Sequence, residues 1–562
     1  MSTAARNHRL RAVSVPIVGA AMVMLAGGFS AFAQTPPSPG AVQEQQRSTQ
    51  EYFELQKRLR EQQPAGPEVI DKTQRPAAGT PGGDVRIRVE EIRIGASEVL
   101  SREQLRGVAA KYEGREVSLA QLFELVDEIN ALYKAKNCLT CRAFLPAQTV
   151  EDGKVDVRLV EAKAGEVEIE GNASTRTSFL KRRISSHAGE LFDVSRLERD
   201  LEIVNATTDL QTTAELRPGT QTGTVTPVVH VVEPPHYRLS LFADNAGAET
   251  VGEYRGGLTF QDSSVFGIRD AFSLTAYGAE GTKAVSTSYA VPVHSSGTRV
   301  GLSYDYSDIK VIKGPFEALD IGGYASTVGL NLTQPIIASS TTRLNALALA
   351  ASKHSVTTFS GIEISELDVR SAGLGIDLQT FGRNGGTWYT RDVFTQGFDD
   401  FGGDRNFLKF NGDLYRIQPI APDWYAQMRL SLQWSDTHPL PSTEQFQLGG
   451  SSTVRGYSEG LLTADEGVIA SAELHFPVPA ALVPEKFHVG AFAFLDSGVA
   501  IVQRNGNRSV HSDDCLYSIG SGLTFDLGSR FSGRLVAGIP LNKPAGYSGD
   551  FRLDFSIQAL LF

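Results

Sequence analysis

One arginine, held in a glycine-rich run, is the residue of this chain best suited to a directed chemical role. The run covers residues 448–457 and reads LGGSSTVRGY, with the arginine at position 455. Glycine lets a backbone turn tightly and approach other groups closely. A guanidinium presented by such a loop is a permanent positive charge with directed donors, so it needs an acceptor. Asp496 is the candidate acceptor, because it is the charged residue of the otherwise apolar stretch FLDSG.

Two motifs around this pair resemble the signatures of a known family. The loop motif consists of Val454, Arg455, Gly456 and Tyr457, and the strand motif of Phe494, Asp496 and Gly498. Together they resemble the sixth extracellular loop and a later barrel strand of outer-membrane barrels that carry POTRA domains. The closest branch is the two-partner secretion transporters, the TpsB family of ShlB/FhaC/HecB-type haemolysin secretion/activation proteins. The resemblance implies that the loop folds back into a barrel, where Arg455 pairs with Asp496. Without it, the run is an ordinary glycine-rich hairpin with a solvated arginine.

Composition argues against several classes of function. The chain has 562 residues, 55 glycines, 3 cysteines and a net charge of −11. A mildly acidic chain without a long basic run is not expected to bind nucleic acid. The sequence carries no H-E-x-x-H or P-loop motif, and its 10 histidines are scattered. We therefore expect no enzyme activity, no nucleotide, no cofactor and no metal.

Residues 1–33 are predicted to be a signal peptide. Several arginines precede an apolar stretch from Val13 to Ala26, and Ala31-Phe32-Ala33 has the spacing of a cleavage site. The alternative is a membrane anchor, because the stretch carries no charge as far as Ala33, but Pro16 and several glycines disfavour a spanning helix. No later apolar run has the length of a transmembrane helix. An exported chain that enters a membrane must then do so as a β-barrel.

Residues 34–63 are predicted to contain a helix that is polar nearly all round. Gln, Glu, Arg and Leu, all good helix formers, dominate the stretch after a Pro-rich start. Such a helix does not belong in a dry core; it is either solvated or placed in a water-filled lumen. In the TpsB family a helix at this place plugs the barrel pore, and the resemblance implies the same here. Residues 64–84 are rich in Pro and Gly and are predicted to be a linker.

An internal repeat follows the linker. Asn130 and Asn205 stand 75 residues apart (205 − 130), and a row of apolar residues before them recurs at the same offset. A constant offset across a strand and a helix means two copies of one small domain. Each copy is predicted as strand, helix, helix, strand, strand, which is the POTRA pattern, with POTRA 1 at residues 85–162 and POTRA 2 at residues 163–235. The open edges of such a sheet can receive an extended peptide as an added strand.

Cys138 and Cys141 form a C-x-x-C pair after the long helix of POTRA 1. Such a pair can be half of a zinc site, a redox centre or a local disulfide. Because the sequence has no second pair and the chain is predicted to be exported to an oxidising compartment, we expect a disulfide. Cys515 is predicted to be a loop residue without an assigned role.

Residues 236–562 alternate between apolar and polar types in short segments separated by turn-forming residues. In Trp424–Trp434 one face is apolar with a tryptophan at each end, and the other face is polar. A tilted membrane strand requires this pattern. The region has 327 residues (562 − 236 + 1), enough for about 16 strands at roughly 20 residues per strand and loop. The predicted fold is a transmembrane β-barrel of about 16 antiparallel strands, preceded by two α+β POTRA domains and an N-terminal helix. The alternative is a soluble β-sandwich.

The domain order and the resemblance predict a transporter. In the TpsB family the POTRA domains receive an unfolded client, a large β-helical exoprotein such as a haemolysin or an adhesin, and the barrel conducts it to the cell surface. The resemblance also implies a place in the cell outer membrane, in contact with lipid, with the POTRA domains in the periplasm. Activation of the client is compatible with the same resemblance. Two alternatives stay open at this point: a barrel-assembly insertase, which shares the loop motif, and a passive porin, which needs neither POTRA domains nor that motif.

Overall fold

The computed structural model describes residues 38–60, 67–72 and 86–562, except residues 137, 139, 222, 400–402, 404, 480, 482, 485, 505 and 506. The predicted signal peptide and most of the predicted linker lie outside the described residues. Within the described ranges, no helix is both long enough and apolar enough to cross a membrane.

The α-helices and the strands of the two POTRA domains lie before the barrel. The helices are α1 (Pro39–Arg60), α2 (Arg102–Ala109), α3 (Leu119–Ala135), α4 (Thr177–Lys181) and α5 (Val194–Thr207). The strands are β1 (Val69–Asp71), β2 (Arg86–Val89), β3 (Glu91–Ile94), β4 (Arg115–Ser118), β5 (Cys141–Phe144), β6 (Lys154–Glu161), β7 (Lys163–Ala164), β8 (Glu168–Glu170), β9 (Gln211–Pro218) and β10 (Thr224–Val232).

POTRA 1 is built from β2 to β6 with α2 and α3. Ser101 and Ser118 start the two helices with capping boxes, in which the serine side chain accepts a backbone N–H three residues on and a glutamine side chain accepts the serine's own N–H. The apolar face of α3 packs on the sheet β3-β6-β5, where β3 is parallel and β5 antiparallel to β6. Leu122, Leu125 and Ile129 lie at the centre of this contact, so the domain has a core of its own.

POTRA 2 repeats the plan with β7 to β10, α4 and α5 around a separate core. Its sheet has an additional strand that was not expected, because Val69–Asp71, in the segment predicted as a linker, forms β1. This strand pairs in parallel with β9 at the edge of the sheet. Lys72 extends the contact with a 3.0 Å ion pair to Glu215. The edge of POTRA 2 therefore accepts an extended segment.

The repeated asparagines perform the same task in both domains. Asn130 accepts the N–H of Ala143 at 2.7 Å and donates to the carbonyl of that residue at 3.4 Å. Asn205 accepts the N–H of Thr212 at 2.8 Å and donates to its carbonyl at 3.3 Å. In each domain an amide on the long helix satisfies backbone groups on the outward side of the strand that follows. The repeat thus includes a clamp between helix and strand as well as a core.

Sixteen antiparallel strands close into a barrel after POTRA 2, which confirms the predicted fold class. They are β11 (Tyr237–Asp244), β12 (Arg255–Asp262), β13 (Ala271–Ala279), β14 (Thr282–Pro292), β15 (Arg299–Lys310), β16 (Ile321–Ala338), β17 (Thr342–Phe359), β18 (Ile362–Phe381), β19 (Thr387–Phe398), β20 (Phe407–Ala421), β21 (Trp424–Ser435), β24 (Glu466–Pro477), β25 (Phe487–Arg504), β27 (Cys515–Leu527), β28 (Phe531–Pro540) and β29 (Arg552–Leu560). The short strands β22 (Phe446–Leu448), β23 (Leu462–Ala464) and β26 (Asn507–Ser509) are additional to these sixteen. Pairing of β29 with β11 completes the closure.

The two faces of the wall differ as the alternation predicted. In β21, Trp424, Met428 and Trp434 are exposed on the outside, whereas Gln427 and Ser431 are buried on the inside. An apolar outer face suits lipid, and a polar lumen holds its contents through hydrogen bonds and ion pairs. Because β11 starts next to POTRA 2, we call that end of the barrel the inner rim and the opposite end the outer rim.

Glu161, at the end of β6, holds the segment before α2 against the rest of POTRA 1. Its carboxylate accepts the N–H of Glu98 at 2.7 Å and the hydroxyl of Tyr133 at 2.8 Å, and it also accepts the hydroxyl of Ser97. Partial burial favours the neutral acid, but these hydrogen bonds outweigh it and hold the pKa of Glu161 below its ordinary range.

Glu161→Gln is expected to destabilise POTRA 1 by about 1–2 kcal/mol at pH 7, because hydrogen bonds to a charged acceptor are stronger than those to an amide. A folded pKa below the unfolded value of about 4.3 gives a contribution that is fully present above that value and is lost as the pH falls through the folded pKa. Urea unfolding of the fragment 85–233 should therefore separate the two proteins at pH 7 and bring them together in acid. The exposed Glu151→Gln is the control; equal midpoints at pH 7 for all three proteins would rule out a role for the charge.

Candidate functional site: the inward loop and the luminal helix

Residues 436–465, which join β21 to β24, turn from the outer rim into the barrel. We call this segment the inward loop. It contains the β22–β23 hairpin, and the loop motif lies between those two strands. Leu448, Val454 and Tyr457 are fully buried, so the inward loop has a packed core against the wall.

Arg455 is the centre of the contact between the inward loop and the wall. Its Nε donates to Oδ2 of Asp496 at 2.8 Å and its Nη2 donates to Oδ1 of the same carboxylate at 2.7 Å, which makes a parallel fork. The backbone N–H of Arg455 adds a 3.1 Å bond to Asp496. The guanidinium also lies 3.7 Å from the ring centre of Phe494, a cation–π contact. Arg455 is 3% exposed and Asp496 1%, so the structure brings the two motifs together in a site screened from water.

A second carboxylate, Glu473 on β24, was missed in the sequence. It accepts from Nη1 of Arg455, and Arg534 of β28 lies 3.6 Å from it. Ser471, on the same luminal face of β24, donates to Asp496 at 2.6 Å and accepts from Arg455 at 3.2 Å. The available signal was a serine and a glutamate two residues apart on the polar face of a strand, which many luminal positions share. The site is therefore one arginine between two carboxylates.

Glycines allow the loop to approach the wall closely. Gly456 has a φ of +93°, and a Cβ there would lie 2.9 Å from the carbonyl carbon of Gly538 on β28. A Cβ at Gly538 would lie 2.5 Å from the backbone nitrogen of Gly456. Gly498 of the strand motif leaves room for two loop side chains, because a Cβ there would be 2.4 Å from Leu448 and 2.7 Å from Val454. Side chains at these glycines would push the loop away from the wall.

Tyr457 fixes the end of the loop motif. Its hydroxyl lies 2.7 Å from Oδ1 of Asn542 and donates to the carbonyl of Tyr517 at 2.8 Å. Tyr547 lies 5.3 Å from it between ring centres and donates to the carbonyl of Gly456 at 3.0 Å. Asn542 and Tyr547 follow β28 and were not predicted. The loop motif is thus held by β24, β25 and the segment after β28.

The inward loop also contacts α1, which lies in the lumen. Oγ of Ser452 is 3.0 Å from Oγ1 of Thr49, and Glu459 accepts from Nε2 of Gln45 at 3.1 Å. Arg429 of β21 donates to the carbonyl of Ser452, so the same loop residue contacts both helix and wall. Polar side chains of α1 find polar partners here, which explains how a helix with so few apolar residues can be placed inside the barrel.

Charged pairs attach α1 to the wall. Glu44 of α1 accepts from Nζ of Lys353 on β17 at 3.0 Å. The same ammonium is 2.8 Å from Glu444 of the inward loop, which also pairs with Lys409 of β20. Two lysines and two glutamates, with little access to water, therefore compensate one another. Lys353 is shared between the helix and the loop.

Apolar contacts mark the two ends of α1. Val42 packs near the outer rim and Leu59 near the inner rim. The neighbours are Val251, Ile309, Val311 and Ile321 for the first and Tyr389 and Tyr415 for the second. A helix of 22 residues is about 33 Å long, close to the roughly 30 Å thickness of a hydrocarbon core. The helix therefore extends through the lumen for the depth of a membrane.

The cysteines lie apart from these contacts in the chain. Cys138 and Cys141 are joined by a disulfide in the turn between α3 and β5. Cys515 is a half-buried free thiol and is the first residue of β27, so it stands one residue beyond the loop in which it was predicted.

Two family models match the chain. Residues 227–525 match the haemolysin secretion/activation protein ShlB/FhaC/HecB, and residues 87–162 match the ShlB-type POTRA domain. The first match covers 299 residues (525 − 227 + 1), more than half of the 562.

Relatives match most of the chain. The heme/hemopexin transporter protein HuxB of Haemophilus influenzae is 24% identical over 464 residues, which are 78% of this chain and 81% of that protein. The outer membrane transporter CdiB of Dickeya dadantii is 23% identical over 496 residues, 82% of this chain and 84% of that protein. The solved structure of CdiB from Escherichia coli has a TM-score of 0.68 at 19% identity and covers 94% of this chain and 100% of that chain. The structural likeness supports the fold.

Arg455→Ala is expected to destabilise the seated inward loop by about 3–5 kcal/mol, because it leaves the buried carboxylate of Asp496 without its cation, and Asp496→Ala by less, because Arg455 keeps Glu473. The double variant should be no worse than the worse single variant, since coupled residues do not add. Arg455→Lys keeps the charge but loses the fork, so it should fall between Arg455→Ala and the unaltered protein. Protease cleavage of the loop in the inserted barrel measures the effect. Additive losses in the double variant would show that the two side chains act independently.

Proposed function

We propose that this chain, which belongs to the ShlB/FhaC/HecB family of haemolysin secretion/activation proteins, passes a large exoprotein from its POTRA domains through a pore that α1 closes at rest. The chain is a two-partner secretion transporter of the outer membrane, with its POTRA domains in the periplasm. The inner rim therefore faces the periplasm and the outer rim the cell exterior. The insertase alternative is not favoured by the family match.

The observation that carries the proposal is the position of α1. A passive porin needs an open water channel, whereas here a helix about as long as the membrane is thick lies in the lumen. Its contacts between the two ends include hydrogen bonds and ion pairs, beside packing of Tyr52 and Leu55 against the wall. Groups of this kind exchange protein partners for water at a small net cost in a hydrated lumen. The helix can therefore leave the pore while the wall stays folded.

The ion pairs of Lys353 keep the free-energy cost of this departure low. While α1 is in place, the ammonium is shared by Glu44 and Glu444. When α1 leaves, Glu44 leaves with it, but Lys353 keeps Glu444 and Lys409 keeps the same carboxylate. Both lysines of this cluster therefore keep a carboxylate partner, which avoids the large penalty for an isolated buried charge.

The POTRA domains are proposed to receive the client in an extended form. The asparagine clamps occupy Ala143 on β5 and Thr212 on β9 alike, so they do not decide between the two edges. The β9 edge of POTRA 2 binds β1 and so has the geometry for an added strand. We place strand addition at β9, where the client competes with β1.

The client is proposed to be a β-helical exoprotein such as a haemolysin or an adhesin. The periplasm supplies no ATP, so the proposed drive is the folding of the client outside the cell, which opposes its return. A narrow pore suits an unfolded chain, and a plug prevents leakage before and after transport.

Deleting Gln34–Gln63 is expected to raise the single-channel conductance in planar bilayers several-fold, because the described part of α1 lies within that segment. Leu59→Asp, which breaks the contact at the inner rim, should increase the frequency of full openings. Lys57→Ala, at an exposed position of the same helix, is the control and should leave the trace unchanged. An unchanged conductance after the deletion would remove the plug from the proposal.

A soluble fragment of residues 85–233 is expected to bind the unfolded N-terminal region of the cognate exoprotein. A matched fragment of residues 67–233 retains β1 and should bind at least tenfold more weakly, because its β9 edge is already occupied. Isothermal titration calorimetry measures both affinities. Equal affinities would place recognition away from β9, and binding by neither fragment would place it outside the POTRA domains.

A further inference from the structure

POTRA 2 meets the barrel through turns of the inner rim, and the deepest of these contacts is built around an arginine. The turn between β12 and β13, residues 263–270, contains Ser264, Arg269 and Asp270, all buried. Arg269 is 1% exposed. A guanidinium keeps its charge in any protein environment, so one that is fully buried needs acceptors arranged around it.

Arg269 finds those acceptors in POTRA 2. Its Nε donates to Oδ1 of Asp209 at 2.7 Å, and its Nη2 pairs with the other oxygen of the same carboxylate. Its Nη1 donates to the hydroxyl of Ser174 at 3.3 Å, and Nη2 also donates to Ser263 of its own turn at 3.2 Å. Asp209 lies between α5 and β9, and Ser174 lies between β8 and α4. One side chain therefore joins two separate segments of POTRA 2 to the barrel.

The barrel side of this contact is rigid. Arg269 has a φ of +56°, a left-handed conformation that an arginine adopts only when its surroundings impose it. Asp270 fixes the turn by accepting the N–H of Phe266 at 3.0 Å and the hydroxyl of Tyr289 at 2.7 Å. The guanidinium is thus presented at a defined place and angle.

The POTRA side is rigid as well. Glu233 accepts the N–H of Ser174 at 2.7 Å and the N–H of Thr175 at 3.0 Å. Burial alone would raise the pKa of Glu233, but hydrogen bonds from Ser174 and Thr175 outweigh it and lower the pKa to about 2. Pro234 and Pro235 follow, so the link to β11 is short and stiff.

Two further turns of the inner rim hold POTRA 2. Arg183, after α4, donates to the carbonyl of His294 at 3.3 Å in the turn between β14 and β15. Glu202 of α5 accepts from Ser340 at 3.4 Å in the turn between β16 and β17. Three successive turns lie on a curved rim and so are not in one line. With one contact POTRA 2 could rotate about a point, and with two it could rotate about the line joining them. Three contacts that are not in one line fix its orientation relative to the barrel.

We propose that Arg269 is a positioning residue that makes POTRA 2 part of the rigid barrel, so that a client enters the pore from a POTRA 2 that stays fixed during transport. The inference rests on the proposed function, in which the client passes from POTRA 2 into the pore. The client must then be aligned by a stationary surface, and the parts that move are the client, α1 and POTRA 1. Without Arg269, POTRA 2 would rotate relative to the barrel, and the client would no longer enter the pore from a fixed direction.

The test measures the orientation of POTRA 2 in the full-length protein by pulsed electron paramagnetic resonance. Spin labels are placed at Glu166→Cys in POTRA 2 and Ser529→Cys in a distant turn of the inner rim, both exposed, in a Cys515→Ser background. The unaltered contact should give one narrow distance distribution. Arg269→Ala and Asp209→Ala should each broaden it at least twofold, and Arg269→Lys less. Arg383→Ala, an exposed arginine of another inner-rim turn, is the control and should leave the width unchanged.

Secretion of the cognate exoprotein is measured in the same variants. Arg269→Ala and Asp209→Ala should each lower secretion at least fivefold while the barrel still shows its heat-dependent shift on a gel. The side chain of Asp209 is partly exposed, so its variant carries the test if Arg269→Ala does not assemble. A distribution equally broad with and without Arg269, or normal secretion despite broadening, would overturn the proposal. If the unaltered protein secretes nothing, the proposed function fails, and the label distances still decide whether POTRA 2 is fixed.

Discussion

Arg455 is a permanent charge with almost no access to water, and it can remain there only because Asp496 and Glu473 face it. The carboxylates belong to two neighbouring strands of the wall, so the inward loop is attached to a surface that cannot move without opening the barrel. Ser452 and Glu459 of the loop contact α1 directly and so help to set its position, together with Lys353 of the wall.

The attachment of α1 obeys a different rule. Arg455 would lose nearly all its partners if the loop left the wall, whereas Lys353 and Glu444 keep each other when the helix leaves. A buried cation beside carboxylates therefore occurs in both places, but only the contact of α1 is one that we propose to separate. The difference lies in how many partners remain after the two parts separate.

The sequence predicted features that depend on neighbouring residues better than features that depend on contacts between distant segments. Alternation along β21 predicted a barrel strand, because a period of two decides which face meets lipid. The pairing of Arg455 with Asp496 was predicted from a resemblance to a family. An isolated aspartate in an apolar stretch had already indicated that this residue needs a partner. Glu473 could not be singled out in the same way, since it is one of many polar residues on the luminal face of the strands. β1 was missed because three residues in a Pro/Gly-rich stretch have no strand pattern of their own, and the edge of β9 decides their conformation. Arg269 could not be distinguished from any other arginine in a polar turn, because burial at a contact between domains gives no signal in the local sequence.

The free energy that holds α1 can be bounded from its contacts. Its clearest apolar anchors are Val42 and Leu59, each contributing about 1.5–3 kcal/mol by burial. Each of its hydrogen bonds contributes about 0.5–1.5 kcal/mol net, or about 1.5–3 kcal/mol where one partner is charged. With eight such bonds to the wall and the inward loop, the total is roughly 10–20 kcal/mol, above the about 8 kcal/mol of one peptide segment bound at micromolar affinity. In the proposed function, client binding and client folding outside the cell together supply this free energy. A plug with an apolar core along its whole length would have been too tightly held for such a source.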